Sequence, residues 1–395
     1  MICRGRDGNG RSSSRVRTGA GTAVRLALAG LILLGITAAA SAEDWTAAAP
    51  SYPWSFPEDH WAHPAYRTEW WYLTGHLVPE GAPEPRFGYQ FTFFRVGLAP
   101  SAPDLDSAWN ARALVLGHAS ITDLAAGRHA FTEVLHREIP LLGGFADFPE
   151  SLLAWCRGPA GTDAPWEIRY NGGAFDVTMA DDAAGIGFTL STRPEKSLVL
   201  HGTGGYSRKG DGPTAASLYY SFPRLATEGE VRMGNQRFRV TGTSWMDKEF
   251  GSNQLDPDQV GWDWFSLQLD DGREVMFYLL RDREGRVDFA RGTVVDAAGA
   301  ARVLAVDEWT VRAAGSWTSP RTGAVYPSGW EVSIPRAGIA LRVRPLLPDQ
   351  ENVSVLSGGV HYWEGAVEAL GPDGSRRGRG YVELTGYGEG TRPAL

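Results

Sequence analysis

Four short stretches of this 395-residue chain set carboxylates beside tryptophans: Glu69-Trp70-Trp71-Tyr72, Trp245-Met246-Asp247-Lys248-Glu249-Phe250, Gly261-Trp262-Asp263-Trp264-Phe265 and His361-Tyr362-Trp363-Glu364-Gly365. A carboxyl held against an indole ring loses hydration, so its pKa rises and it can act as an acid near neutral pH. If the stretches are strands, side chains alternate between the two faces. Trp245, Asp247 and Glu249 then share a face and Lys248 points away. Trp262 and Trp264 lie opposite Asp263, and Glu69 lies on the face of Trp71. As a set they describe a ligand cavity walled by aromatics such as Trp71, Tyr219, Trp245, Trp264 and Trp363, with Glu69 and a few other carboxylates turned inward. The short separation between the second and third stretches is enough for a loop and a return strand. Asp263 is therefore expected to reach the region of Asp247 and Glu249, where repulsion and desolvation would raise at least one pKa. For any one stretch alone, the plainer reading is a core tryptophan whose neighbouring acid caps a turn or pairs with a basic group.

Other candidates carry less chemistry. His60-Trp61-Ala62-His63 offers two imidazoles three residues apart, a weak pattern on which no metal site is assigned. His201-Gly202-Thr203-Gly204-Gly205-Tyr206-Ser207 is glycine-rich without the strand-to-helix setting of a phosphate loop. It reads as a turn, with His201 a candidate cavity residue. Zinc-protease and nucleophile-elbow motifs are missing from the sequence. Cys156 lacks an identifiable activating base and reads as a small core residue.

The elements that must position these groups are strands. Phe87, Tyr89, Phe91 and Phe93 alternate with Gly88, Gln90 and Thr92. Period-two segments meet at Asn171-Gly172-Gly173, Gly234-Asn235, Asp271-Gly272 and Asp373-Gly374, dipeptides that suit tight hairpins. The best helical stretch is Phe148 to Cys156, one or two turns. So many evenly spaced strands predict an all-β sandwich or barrel, and at this length two barrels in tandem, divided near residue 250.

Composition narrows the function classes. The net charge of −8 argues against a general nucleic-acid binder, which needs a basic face. Two cysteines exclude a disulfide framework and cysteine-rich zinc modules. Arg4 to Arg25 precede an apolar run, Leu26 to Ala40, that ends in Ala40-Ser41-Ala42. This is the pattern of a secretory signal peptide over residues 1–42, with an uncleaved anchor as the alternative. The product would be an acidic exported protein, periplasmic in a Gram-negative source, with an N-terminal domain over 43–250 and a C-terminal one over 251–395.

The same stretches, taken in order with Ser217-Leu218-Tyr219-Tyr220-Ser221, Tyr326-Pro327-x-x-Trp330 and Gly380-Tyr381-Val382-Glu383-Leu384-Thr385-Gly386-Tyr387, resemble the AttH/carotenoid 1,2-hydratase (CrtC-like) family. The resemblance spans nearly the whole mature chain. It implies two tandem lipocalin-like antiparallel β-barrels, which the strand pattern alone could not choose over a sandwich. Some relatives are cofactor-independent hydratases that add water to a carotenoid double bond. The secreted branch has no settled activity, and genes beside it imply an ABC-transporter permease as a partner. Many relatives have His where this chain has Lys248, so a role for that histidine does not transfer.

Three readings remain open. One is a carrier of an apolar lipid or isoprenoid, for which barrel interiors are suited. The second is a hydratase. Asp247 or Asp263 would be its acid, Trp245, Trp264 and Tyr219 its cation-facing rings, and Glu249 or His201 the group that orients water. The third is an accessory subunit of a permease. None of them calls for a metal or cofactor.

Overall fold

A computed structural model describes residues 45–100, 107 and 109–388. The expected signal peptide lies outside the described residues. The period-two pattern becomes strand almost throughout. Among the described residues there is no α-helix, only 3-10 turns at Glu58–His60, Val306–Glu308 and Pro335–Ala337.

The first sheet contains β1 (Thr68–Pro79), β2 (Phe87–Gly97), β3 (Ala113–Asp123), β4 (Arg128–Arg137), β5 (Gly143–Phe145), β6 (Leu152–Cys156), β7 (Trp166–Asn171), β8 (Ala174–Asp181), β9 (Ile186–Pro194), β10 (Val199–Leu200), β11 (Tyr206–Arg208), β12 (Ala216–Met233) and β13 (Gln236–Asn253). Its order is β4-β3-β2-β1-β13-β12-β9-β8-β7-β6-β5, with β10 and β11 also on β12. The two ends of this path approach at the Ile139–Gly143 bridge. The second sheet contains β14 (Gln259–Leu269), β15 (Glu274–Asp282), β16 (Val287–Val295), β17 (Ala301–Leu304) and β18 (Thr310–Ala313). A separate pair, β19 (Ser316–Thr318) and β20 (Val325–Pro327), follows in the chain. The second sheet then resumes with β21 (Trp330–Ile334), β22 (Ile339–Pro345), β23 (Glu351–Val353), β24 (His361–Leu370) and β25 (Arg376–Thr385). Its order is β17-β16-β15-β14-β25-β24-β22-β21-β18, with β23 on β24. The pairings are antiparallel. The chain is all-β, two tandem lipocalin-like barrels.

The local sequence explains the connections. Asp373-Gly374 turns β24 into β25, with Gly374 at φ 82°, a conformation that costs glycine no steric clash. The β12–β13 register shifts between Phe222 and Leu225, around Pro223, whose nitrogen has no hydrogen to give the ladder. The helical expectation at Phe148 to Cys156 is corrected. Leu152–Cys156 is strand β6, paired with β5 and β7, and its central Leu153 and Ala154 are buried. Pairing and burial override a short helical pattern.

Each barrel has its own packed interior. Trp71, Phe91, Trp166 and Phe188 belong to the first core; Phe265, Phe277, Trp330 and Trp363 belong to the second. Truncating one of these rings to alanine costs about 3–5 kcal/mol. A third cluster, including Tyr72, Tyr219, Trp245, Trp264, Tyr278 and Tyr381, joins the outer faces of the two barrels. Gln268 fixes that junction by donating to the carbonyls of Pro223 and Ser244, each at 2.9 Å. Gly88 permits close approach there, because a Cβ would sit 2.5 Å from the Tyr381 hydroxyl oxygen.

Candidate active site

A space large enough to hold a ligand lies between the barrels. A cavity of about 400 Å³ is lined by residues from both sheets and by the Leu356–Val360 loop. The barrel interiors, the expected place for an apolar ligand, carry the two packed cores. One end of the cavity is apolar, with Phe94, Val96, Leu114, Leu116 and Leu135. The other end carries Asp247, Glu249, Glu364 and Glu383 among Tyr72, Tyr219, Trp262 and Trp264.

Strand parity brings Asp247 and Glu249 to the cavity, as their spacing predicts. Asp247 accepts from Trp245 Nε1 at 2.6 Å, from the Tyr219 hydroxyl at 2.6 Å and from the Ser221 hydroxyl. Burial pushes its carboxyl up to about 7; the three donors oppose that rise and Glu249 adds to it. Glu249 accepts from the Ser217 hydroxyl and pairs with Lys209 at 2.6 Å. Lys209 lies 4.1 Å from the Tyr278 ring centroid and 4.9 Å from that of Tyr219. Burial opposes its charge, but Glu249, Tyr278 and Asp247 together outweigh burial and raise its pKa. Trp264 crosses Trp245 edge to face at 6.2 Å and donates to the Tyr219 hydroxyl at 3.1 Å.

His201 stands behind Asp247 and does not line the cavity. Its Nε2 is 2.7 Å from the Ser221 hydroxyl and its Nδ1 is 3.1 Å from that of Thr293 on β16. Burial first, then Lys209, lowers its pKa to about 3, so the ring is neutral. Ser221 donates to Asp247, so Nε2 carries the proton given to Ser221 and Nδ1 accepts from Thr293. His201 is a positioning residue.

Four expected residues are elsewhere. Asp263 does not join Asp247 and Glu249. It projects from the opposite face of β14 to Trp264, as strand alternation requires, and meets Arg281 Nε and the Tyr387 hydroxyl, each at 2.9 Å. Trp363 points into the second core and donates to the Pro348 carbonyl at 2.8 Å. Glu69 and Trp71 lie on the inner side of the first barrel. Glu69 pairs there with fully buried Lys248 and with His63 at 2.6 Å. Lys248 also lies 3.3 Å from the Trp71 ring centroid. Burial alone would raise Glu69, but Lys248 and His63 outweigh it and hold the carboxyl at about 2. His60 Nδ1 meets the Tyr220 hydroxyl at 2.6 Å.

The sequence reading missed Glu364 and Glu383 as cavity acids. They are direct partners across the β24–β25 ladder, where facing side chains stand about 5 Å apart and like charges destabilise the pair. Counting symmetrically outward from Asp373-Gly374 pairs these two residues, so a signal was present. The Tyr72 hydroxyl donates to Glu364 Oε1 at 2.7 Å, and Trp262 Nε1 donates to Glu383 Oε2 at 2.9 Å. Glu364 Oε2 is buried without a hydrogen-bond partner. Burial, then Glu383, drives Glu364 well above the usual carboxylate range, and burial pushes Glu383 up to about 7. His118 was also missed. Its Nδ1 is 2.8 Å from the Tyr362 hydroxyl, its Nε2 is 2.7 Å from Ser357, and burial lowers its pKa to about 4.

No curated protein matches the chain. Its fold matches the structure of an AttH protein from Nitrosomonas europaea with a TM-score of 0.73 and 32% identity, over 87% of this chain and 100% of that one. It also matches kievitone hydratase from Nectria haematococca with a TM-score of 0.60 and 15% identity, over 86% of this chain and 95% of that one. The second likeness is one of fold alone. The AttH-like family model matches residues 47–387. The chain belongs to the AttH-like family.

Proposed function

We propose that the protein is a hydratase that adds water to a double bond of an apolar, isoprenoid-like ligand held between the barrels. The observation that carries this reading is the Glu364–Glu383 pair, with Glu364 Oε2 unpartnered in an otherwise aromatic and apolar cavity. A buried carboxyl beside a half-buried one retains a proton at neutral pH, because both cannot ionise cheaply. Tyr72 occupies Oε1 of Glu364, which leaves Oε2 to hold that proton.

Transfer of the proton to one alkene carbon makes a C–H bond and leaves a cation on the other carbon. Trp264, Tyr219 and the remaining carboxylates surround that charge, and aromatic faces stabilise it. Water attacks the cation, forms the C–O bond and gives a proton to Asp247, whose pKa near 7 suits a base at neutral pH. Tyr72 pairs with Asp247 across the β1–β13 ladder and bonds to Glu364. Proton exchange with water after the product leaves restores the proton to Glu364 and removes it from Asp247. The sum is one water added. The name of the hydratase that shares the fold supports this reaction class.

A carrier without turnover would use the same cavity. The two readings separate when a branched isoprenoid alkene is incubated with the protein in heavy-oxygen water and the alcohol is analysed by mass spectrometry. Hydration puts the label in the product, and Glu364→Gln removes it while the ligand still binds. A ligand that binds and returns unlabelled and unchanged rules out the hydratase and leaves the carrier. Export is a further proposal, supported by the sequence of the first 42 residues and tested by N-terminal sequencing of the secreted form. Partnership with a permease is a separate proposal, tested by co-purification from membranes.

A further inference from the structure

We propose that the same cavity takes a second class of ligand, an apolar chain that ends in an amine, with the ammonium seated among Glu364, Glu383 and Asp247. The proposal rests on the cavity accepting an apolar chain but not on turnover. Among the described residues, the one ion pair to a cavity-end carboxylate joins Lys209 to Glu249. Among the described residues no ion pair reaches Asp247, Glu364 or Glu383, although the Lys209 ammonium, held by Glu249, also feels the charge of Asp247; all three acids line the cavity. Asp247 is satisfied by neutral donors, whereas Glu364 Oε2, in a residue 1% exposed, has none. The end is therefore rich in acceptors and short of positive charge.

The walls complete the requirement. Tyr72 meets Trp264 edge to face at 5.1 Å, and Trp262 is anchored on Glu383. Rings fixed around carboxylates form the kind of enclosure that binds organic ammonium, by attraction to the ring faces and by charge-assisted hydrogen bonds. A carboxylate head would face repulsion in the same place, and an alcohol would gain only neutral hydrogen bonds. The leucine-lined end then receives the chain. An ammonium has the charge of the cation formed in alkene hydration, so such an amine would also compete with a hydratable alkene.

The test uses the full chain with decylamine, decanol and decanoate, each kept below its micelle-forming concentration. Binding is read by tryptophan fluorescence, because Trp70, Trp262 and Trp264 line the cavity. Calorimetry in two buffers of different ionisation heat counts protons. Decylamine should bind at least about tenfold more tightly than decanol, and decanoate most weakly. Ammonium entry should release about one proton at neutral pH, because it favours the ionised carboxyls. The Glu364→Gln/Glu383→Gln double variant should abolish the amine advantage and the proton release while still binding decanol. If the double variant does not fold, each single variant should reduce the advantage; an advantage unchanged in both overturns the proposal. Equal binding of amine and alcohol, or amine binding without proton release, also overturns it and leaves the hydratase reading standing. Binding of none of the three probes overturns both.

Discussion

Replacing Glu383 by glutamine should make the protein more resistant to alkaline pH, with a size that follows from the site. An unfolded glutamate ionises near its ordinary 4.5, whereas burial moves folded Glu383 to about 7. Between those values the unfolded chain loses a proton that the native chain keeps, so native stability falls as pH rises. Each pKa unit is worth about 1.4 kcal/mol, so the interval removes roughly 3 kcal/mol from the wild type. Glutamine resembles the protonated acid, can still accept from Trp262, and cannot ionise. The stability difference between variant and wild type should be flat below pH 4.5, grow through neutrality and level off above the folded pKa. Differential scanning calorimetry of both proteins at pH 4.5 and pH 8 measures it. The melting temperature of the variant relative to wild type should rise by a few degrees at the higher pH. Glu364 loses a neighbouring charge in the variant, which lowers its own pKa and adds to the same trend, while titrating groups distant from Glu383 are common to both proteins and cancel. A melting difference that is the same at both pH values would refute the claim that the fold raises the pKa of Glu383.

Asp247→Asn should retain ligand binding but slow hydration by about 10²–10⁴, the usual worth of a positioned base. Its amide hydrogens would face donors in a shell that supplies three, at a stability cost of about 1–3 kcal/mol; turnover and melting curves check both effects. Lys248→Met leaves Glu69 buried without its lysine and should lose about 3–5 kcal/mol, and adding Glu69→Gln should recover part of it in a double-mutant cycle. Glu133 accepts from the Ser354 hydroxyl at 2.7 Å and from the amides of Val355 and Leu356 at 2.6 and 2.9 Å. Glu133→Ala should therefore speed limited proteolysis at exposed Val355-Leu356 without a comparable fall in global melting temperature.

Much of the fold could be read locally. Alternating rings in Phe87 to Phe93 and the hairpin at Asp373-Gly374 identify strands because side-chain period and turn geometry are properties of a few consecutive residues. The choice of barrel came from resemblance, since closure depends on contacts between residues far apart in sequence. The site is legible where a decision needs parity alone: Trp245, Asp247 and Glu249 share a strand face, the two acids line the cavity, and Trp245 donates to Asp247. It was misread at Asp263, where nearness in sequence outweighed the fact that Asp263 and Trp264 must face opposite ways. Trp363 and Glu364 are adjacent on β24 and face opposite ways, so only one can reach the cavity, and which one depends on where the second core lies. The position of His201 behind Asp247, and the contribution of His118 from β3, depend on how the barrels meet, which no local pattern specifies.

The placement of the cavity between the barrels divides adjacent residues between two tasks. Trp71 packs inside the first barrel while Tyr72 faces the cavity; Trp363 packs inside the second while Glu364 faces the cavity. Substitutions at the outward positions can therefore alter recognition without opening a hole in either core, so ligand preference can drift through evolution at modest thermodynamic risk. An insertion of one residue would have the opposite effect, because it would exchange the two sets along the rest of the strand. Lineages built on this arrangement should diversify through replacements at alternate positions and place their length changes in loops.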